Sequence, residues 1–210
     1  MDVFFWLVVG ILLLVILLLG TIFFLVLYAG LLYNVEVGVG EPPVQNFVGF
    51  YKSGTGAYRN SSAVFTEACS IAPTLSTFGV FYDDPKLIEE SKLRWISGSV
   101  VPKNLMEDGK YEEEMDKLTQ NGFKMFEFPS VSSVVKADFP FNTDLSVIIG
   151  AYRVYPKLSH FVQEHKLKAF PYIEFYKSGK IHYYAPLEKN LDFYVPGIDP
   201  AANCHPYKNE

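Results

Sequence analysis

One carboxylate in this 210-residue chain is set among aromatic residues at strand spacing. It is Glu174, in the run Tyr172-Ile173-Glu174-Phe175-Tyr176-Lys177, which leads through Ser178-Gly179 into Lys180-Ile181-His182-Tyr183-Tyr184-Ala185. A two-residue turn at Ser178-Gly179 would pair Lys177 with Lys180, setting Tyr176 opposite Ile181 and Glu174 opposite Tyr183. Side chains alternate along a strand, so Tyr172, Glu174, Tyr176, Ile181, Tyr183 and Ala185 would gather on one face. A slip of one residue would disperse them. Three chemistries fit such a carboxylate: a surface Glu reaching into solvent, a buried acceptor of hydrogen bonds, or the charged floor of a pocket for a cationic apolar ligand held by ion pairing and cation–π attraction. Glu174, Tyr172, Tyr176 and Tyr183 are therefore the candidate ligand-binding residues. A carboxyl group raised by an aromatic wall could also serve as general base toward a water, which is the hydrolytic alternative.

Other constellations carry less. His160 and His165 are five residues apart and do not share a helix face as a metal pair would. Cys69 and Cys204 have no metal-ligand spacing and form no disulfide framework, which allows a reducing compartment. The chain has no Walker loop, nucleophile elbow or HExxH, and Gly38-x-Gly40 and Gly54-x-Gly56 lack the third glycine of a dinucleotide fingerprint. No metal, cofactor or catalytic residue is assigned.

The elements that must position Glu174 read as an α+β domain. Asn46 to Lys52 reads as a strand broken by Ser53-Gly54-Thr55-Gly56, and Asn60-Ser61-Ser62 is set to cap a helix through Ile71, ended by Pro73. Thr77 to Tyr82 and Arg94 to Val101 read as two more strands, completing a β-α-β-β module. Lys110 to Asn121 reads as a helix stopped by Gly122. A second module then reads strand, strand, helix, strand, strand: Phe123 to Phe128, Val134 to Phe139, a helix capped by Asn142 or Thr143, and the hairpin that holds Glu174. That helix carries Leu145, Ile148, Ile149 and Tyr152, and Pro156 is expected to kink or divide it. The pattern suggests a duplication with pseudo-two-fold symmetry. The pentapeptide Phe-Tyr-Lys-Ser-Gly, at Phe50–Gly54 and Phe175–Gly179, reads as shared turn chemistry.

Charge divides the chain. No charged residue occurs between Asp2 and Glu36, and the apolar run Val3 to Tyr33 exceeds the roughly 20 residues that span a hydrocarbon core. The run is too long for the apolar region of a signal peptide and lacks its basic start, so it reads as one uncleaved, tilted membrane anchor. Residues 1–34 are then the anchor, contacting the bilayer through residues 3–33. Residues 35–43 read as a short linker, 44–197 as the domain and 198–210 as a short polar tail. The nearest basic residue is Lys52, which favours a cytosolic C-terminal side. Beyond Asp2 the chain holds 18 basic against 22 acidic residues, a net charge of −4, so direct nucleic-acid binding is not expected.

Several segments are uncommon in combination: Phe65-Thr66-Glu67-Ala68-Cys69-Ser70-Ile71, Tyr82-Asp83-Asp84-Pro85, Phe126-Glu127-Phe128-Pro129, Arg153-Val154-Tyr155-Pro156, Pro171 to Tyr176 and Asp192-Phe193-Tyr194-Val195-Pro196. On these the chain resembles the testis-expressed protein 264-like family of ER-phagy receptors, from its N-terminus to about Pro196. The resemblance implies an anchor in the endoplasmic reticulum membrane, with some presence at the nuclear envelope, and a cytosolic gyrase-inhibitory-like (GyrI-like) domain of two related modules. It further implies a role in delivering reticulum to lysosomes, partnership with autophagy modifiers and the valosin-containing AAA ATPase, and a link to repair of protein–DNA crosslinks. In GyrI-like domains a Glu on a late strand lies in an aromatic small-molecule pocket, and Glu174 stands at the matching motif. The family's long acidic, Ser-rich tail, which carries the modifier and ATPase motifs, does not follow Pro196 here, so a tail-less relative or short form is expected. Phe128/Val131, Tyr155/Leu158, Phe170/Ile173 and Tyr184/Leu187 fit the letters of a modifier-binding motif but lie in segments read as folded.

Overall fold

Twenty-six residues without a charge, Val3–Tyr28, form helix α1, about 39 Å long, and none of them is buried. The computed structural model describes residues 3–106 and 109–200; Asp2, Cys204 and most of the stretch read as a polar tail lie outside the described residues. The end of α1 is closed by paired backbone bonds: Leu31 N–H donates to Val26 O at 3.2 Å and Gly30 N–H to Leu27 O at 3.0 Å. Such a closure places one residue in the left-handed region, and Gly30, at φ +103°, supplies it. A side chain there would also meet the Phe139 ring, at 2.8 Å.

The end of α1 is fastened to the domain. Asn142 Nδ2 donates to Tyr28 O at 2.8 Å, Arg153 Nη1 to Gly30 O at 3.1 Å and Lys157 Nζ to Val35 O at 2.8 Å. Residues 35–43, read as a short linker, are folded onto the domain: Val35 is buried and Gly38–Gly40 form strand β1. The backbone groups of this glycine-rich stretch find partners on what would otherwise be an open sheet edge.

The remaining elements are β2 (Phe47–Thr55), α2 (Ser61–Ile71), β3 (Ser76–Phe81), β4 (Arg94–Pro102), the short α3 (Lys103–Met106), α4 (Glu112–Gln120), β5 (Lys124–Glu127), β6 (Val134–Pro140), α5 (Asp144–Glu164), β7 (Tyr172–Lys177) and β8 (Lys180–Pro186). All the strands join one antiparallel eight-stranded sheet in the order β1-β6-β8-β7-β3-β4-β2-β5. The two modules are legible in that order. β2-α2-β3-β4 and β6-α5-β7-β8 each place their third strand between the first and second. They meet antiparallel through β3 and β7, with Phe78 opposite Phe175 and Gly79 opposite Glu174.

Four local expectations are corrected. The strand at Phe123 to Phe128 belongs to the far edge of the first module, where β5 pairs with β2, so both modules have one β-α-β-β plan. β2 runs unbroken through Ser53 and Gly54, with Gly54 opposite Trp95, so the repeated pentapeptide is strand in one copy and turn in the other. Helix α2 begins where expected, but the Asn60 side chain does not cap it; a 3-10 turn at Tyr58–Asn60 leads in, and Ser61 and Ser62 hydroxyls donate to Tyr58 O and Arg59 O. Helix α5 continues through Pro156 without division.

Helix α5 also turns a different face to the sheet than its large apolar residues suggest. The buried stripe is Ser146, Gly150, Val154, Leu158 and Val162, whereas Ile148 and Tyr152 are 68% and 84% exposed. Small residues at 146 and 150 let the helix approach closely, and a Cβ at Gly150 would meet the Tyr183 hydroxyl at 2.7 Å. The Ser146 hydroxyl meanwhile accepts from the backbone N–H groups of Asn142 and Thr143, closing the start of the helix.

The sheet has apolar packing on both faces. On one, α5 covers Val135, Ala137, Phe139, Ile181 and Tyr183, and α2 covers Val48, Phe50 and Val101. On the other, Phe47, Phe78, Val80, Ile96, Phe175 and Tyr184 pack beneath Phe193, Tyr194, Val195 and Ile198 of the final segment. The tightest backbone approach is at Gly98 of β4, where an added Cβ would lie 1.9 Å from Phe50 O. Because the neighbour is backbone of a paired central strand, Gly98→Ala should cost about 3 kcal/mol or more, the upper end of overpacking. Urea unfolding of the micelle-solubilised chain checks this, and a midpoint within error of wild type would contradict it.

Candidate functional site

Glu174 sits in the seventh strand at the seam between the modules, with Gly79 on one side and Tyr183 on the other. The hairpin register is the one expected from the Ser178-Gly179 turn: Lys177 pairs with Lys180, Tyr176 with Ile181 and Glu174 with Tyr183. Tyr172, Tyr176, Ile181, Tyr183 and Ala185 accordingly pack on the sheet face under α5.

Glu174 is 5% exposed and both of its carboxyl oxygens are engaged. Tyr155 of α5 donates its hydroxyl to Oε1 at 2.6 Å, and Tyr176 donates to Oε2 at 2.6 Å. Rings enclose the group. Tyr155 meets Tyr172 and Tyr183 edge-on at 5.4 and 5.5 Å, while Tyr176 meets Phe65 of α2 and Phe141 at 5.1 and 5.5 Å. The Tyr183 hydroxyl is buried without a hydrogen-bond partner. Burial pushes the Glu174 carboxyl above the usual carboxylate range, and the two phenol donors, which favour the charged form, pull it part of the way back. Tyr155 and Tyr176 are held far above the ordinary phenol value, first by burial and then by the Glu174 charge.

Of the sequence-predicted residues, Glu174, Tyr176 and Tyr183 come together with Tyr172 behind Tyr155. Strand alternation around Glu174 does not point to Tyr155, Phe65 or Phe141. Tyr155 supplies one of the two hydroxyls on the carboxylate, yet only its place in the Arg153-Val154-Tyr155-Pro156 segment distinguishes it in the sequence. In this conformation the carboxyl oxygens are filled by the protein's own hydroxyls, the arrangement of a buried acceptor. A cationic ligand would reach Glu174 by displacing the Tyr155 or Tyr176 hydroxyl.

Elsewhere, a cleft of ≈ 830 Å³ opens where the segment after α1 meets the sheet, lined in part by Tyr33, Lys136, Asp138, Lys177 and His182. Within it His182 Nδ1 and Asp138 Oδ1 lie 2.7 Å apart. Exposed His160 lies 3.6 Å from Glu164, and no cluster of three metal-ligating side chains occurs among the described residues.

No family model matches the chain. Human testis-expressed protein 264 is 41% identical over 169 residues, which is 80% of this chain and 53% of that protein. Over that stretch the chain is similar to testis-expressed protein 264. The mouse testis-expressed protein 264 homolog is 40% identical over 171 residues, 81% of this chain and 55% of its own length. The chain therefore spans about half the length of the curated relatives it matches. Among solved structures, the EcmrR C-terminal domain aligns with 75% of this chain and 99% of its own, at 14% identity and a TM-score of 0.44. An uncharacterized conserved protein from Listeria innocua aligns with 73% of this chain and 91% of its own, at 15% identity and a TM-score of 0.40.

Proposed function

We propose that the chain is a single-pass protein of the endoplasmic reticulum membrane whose cytosolic GyrI-like domain recruits partners in reticulum turnover. One observation carries this reading: a folded domain is fastened to a charge-free helix of spanning length, in a chain similar to human testis-expressed protein 264 over 169 residues. The proposed partners are autophagy modifiers and the valosin-containing AAA ATPase, and the same homology extends the proposal to protein–DNA crosslink repair at the nuclear envelope. Each of the four modifier-like letter pairs has at least one buried member, among them Phe128, Leu158, Ile173 and Tyr184, so recruitment would use the domain surface or a further subunit. The test is starvation-induced lysosomal delivery of the tagged full chain, compared with residues 1–43 carrying an inert domain. Delivery above that control is expected; equal delivery would make the chain passive cargo and sink the proposal.

The enclosed carboxylate favours a second reading, in which the domain binds a cationic apolar small molecule at Glu174. Burial without a basic partner in the hydrogen-bond set leaves the charge available to a ligand cation once one tyrosine swings aside. Hydrolysis with Glu174 as general base is its catalytic variant. Glu174→Gln separates the two: loss of a turnover activity would support chemistry, whereas loss of cation binding without turnover would support binding alone.

A further inference from the structure

We propose that the cleft beside the segment after α1 binds a small organic phosphate, with the phosphoryl group held by Lys136 and Lys177 and the apolar body set against Tyr33 and Val39. The site is separate from Glu174, which lies on the opposite face of the sheet, and the proposal depends on neither reading of that carboxylate.

Strand register brings the charges together. Across β6 and β8, Lys136 stands opposite Tyr184, Asp138 opposite His182 and Pro140 opposite Lys180; across β7 and β8, Lys177 stands opposite Lys180. Directly paired residues share a face and alternate residues along a strand do too, so Lys136, Lys177, Lys180 and His182 all lie on the side away from α5. In a chain of net charge −5 such a gathering needs a reason. The Lys177–Lys180 pair sharpens the point, because like charges directly opposite each other destabilise a hairpin. Neither ammonium belongs to an ion pair among the described residues. An anion seated beside them would offset that repulsion.

The carboxylates that line the cleft are engaged elsewhere. Asp138 Oδ1 lies 2.7 Å from His182 Nδ1, and Glu36 Oε1 accepts from Asn34 Nδ2 at 3.3 Å, so neither is paired with a lysine. Lys136 is held in place: its Nζ donates to Glu41 O at 2.9 Å, and its chain lies over Gly40, where an added Cβ would meet Lys136 Cε at 2.9 Å. An ammonium has three protons, so that bond leaves others for a ligand. Lys177 lines the same cleft from a hairpin whose turn fixes its register. Exposed Tyr33 and Val39 add an apolar wall, and ≈ 830 Å³ is within the range of sites that enclose a small organic molecule. Ammonium groups converging on one concavity beside apolar surface suit a phosphate monoester, whose dianion takes charge-assisted hydrogen bonds from more than one cation.

The test titrates the micelle-solubilised full chain calorimetrically with methylumbelliferyl phosphate, with uncharged methylumbelliferyl glucoside and with inorganic phosphate. Saturable binding of the phosphate ester is expected, about tenfold or more tighter than that of the glucoside, and Lys136→Gln and Lys177→Gln should each weaken it by about tenfold or more, the loss that goes with a hydrogen bond to a charged group. Lys177→Arg, which keeps the charge, should retain binding. So should Lys124→Gln, at the far edge of the sheet, and Glu174→Gln. Absence of saturable binding to wild type would overturn the proposal, as would equal binding of ester and glucoside or undiminished binding after Lys136→Gln combined with Lys177→Gln. Loss of binding in Glu174→Gln would move the ligand to the other face and overturn it too. Inorganic phosphate binding as tightly as the ester would remove the apolar wall from the site and overturn the assignment to an organic phosphate.

Discussion

Tyr155→Phe combined with Tyr176→Phe is expected to destabilise the domain by about 3–6 kcal/mol at a pH where Glu174 is ionised, because each lost hydroxyl then removes a hydrogen bond of about 1.5–3 kcal/mol to a charged acceptor. The fold keeps its ring packing, since only the two oxygens disappear. What remains is a buried carboxylate with neither of its phenol donors. The sign with pH comes from the direction of its shift. Burial already holds Glu174 above its unfolded value of about 4.3, so its contribution to stability is most favourable below that pH and declines as pH rises toward the folded-state value. Deleting both donors raises the folded-state value further. The deficit of the double variant should therefore widen as pH climbs through the wild-type folded-state value, which lies above about 4.3, and below it should shrink to the cost of two neutral hydrogen bonds, about 1–3 kcal/mol. Urea unfolding of wild type and variant in the same micelles, at several pH values, gives the difference directly. A deficit that stays constant with pH would mean that Glu174 carries no charge in the folded protein, and the cation-binding reading would lose its basis.

The second large effect is expected at Arg94→Met. Asp83 closes the loop after β3, and its side chain is 2% exposed. Arg94 at the start of β4 grips it side-on, with Nη2 to Oδ1 at 2.6 Å and Nε to Oδ2 at 2.9 Å, while the Arg94 backbone N–H adds a third bond at 2.8 Å. Removing the guanidinium leaves a buried carboxylate without its cation, a change that costs about 3–5 kcal/mol. Arg94→Lys should recover little, because an ammonium cannot reproduce the planar fork. Asp83→Leu added to Arg94→Met should regain much of the loss, since the desolvated charge is gone. A denaturant double-mutant cycle checks this, and a strictly additive result would show that the pair is not coupled.

The Glu174 cluster is legible in the sequence because its two determinants are local. Strand alternation and a two-residue turn fix which residues share a face, and both lie within Tyr172–Ala185. What escapes is set by distant parts of the chain. Tyr155 reaches the site from a helix whose docking face is chosen by Ser146 and Gly150, small residues that no hydrophobic stripe announces. Residues 35–43 look like a spacer because glycine and proline carry no strand signal of their own; β1 exists only because β6 offers an edge. β5 is short enough to suit either module, and only its pairing with β2 assigns it. The duplication itself is visible in the order of elements, but the seam through β3 and β7 is not, although it places Glu174 between the halves.

The stitches between α5 and the end of α1 have a mechanical consequence. Nine residues of flexible, glycine-rich chain between anchor and domain would act as a leash, letting the domain roam roughly 15–18 Å from its point of attachment. Here Arg153, Lys157 and the β1 pairing take up that slack. A force applied to the domain would therefore reach α1 at once, with no leash to draw taut.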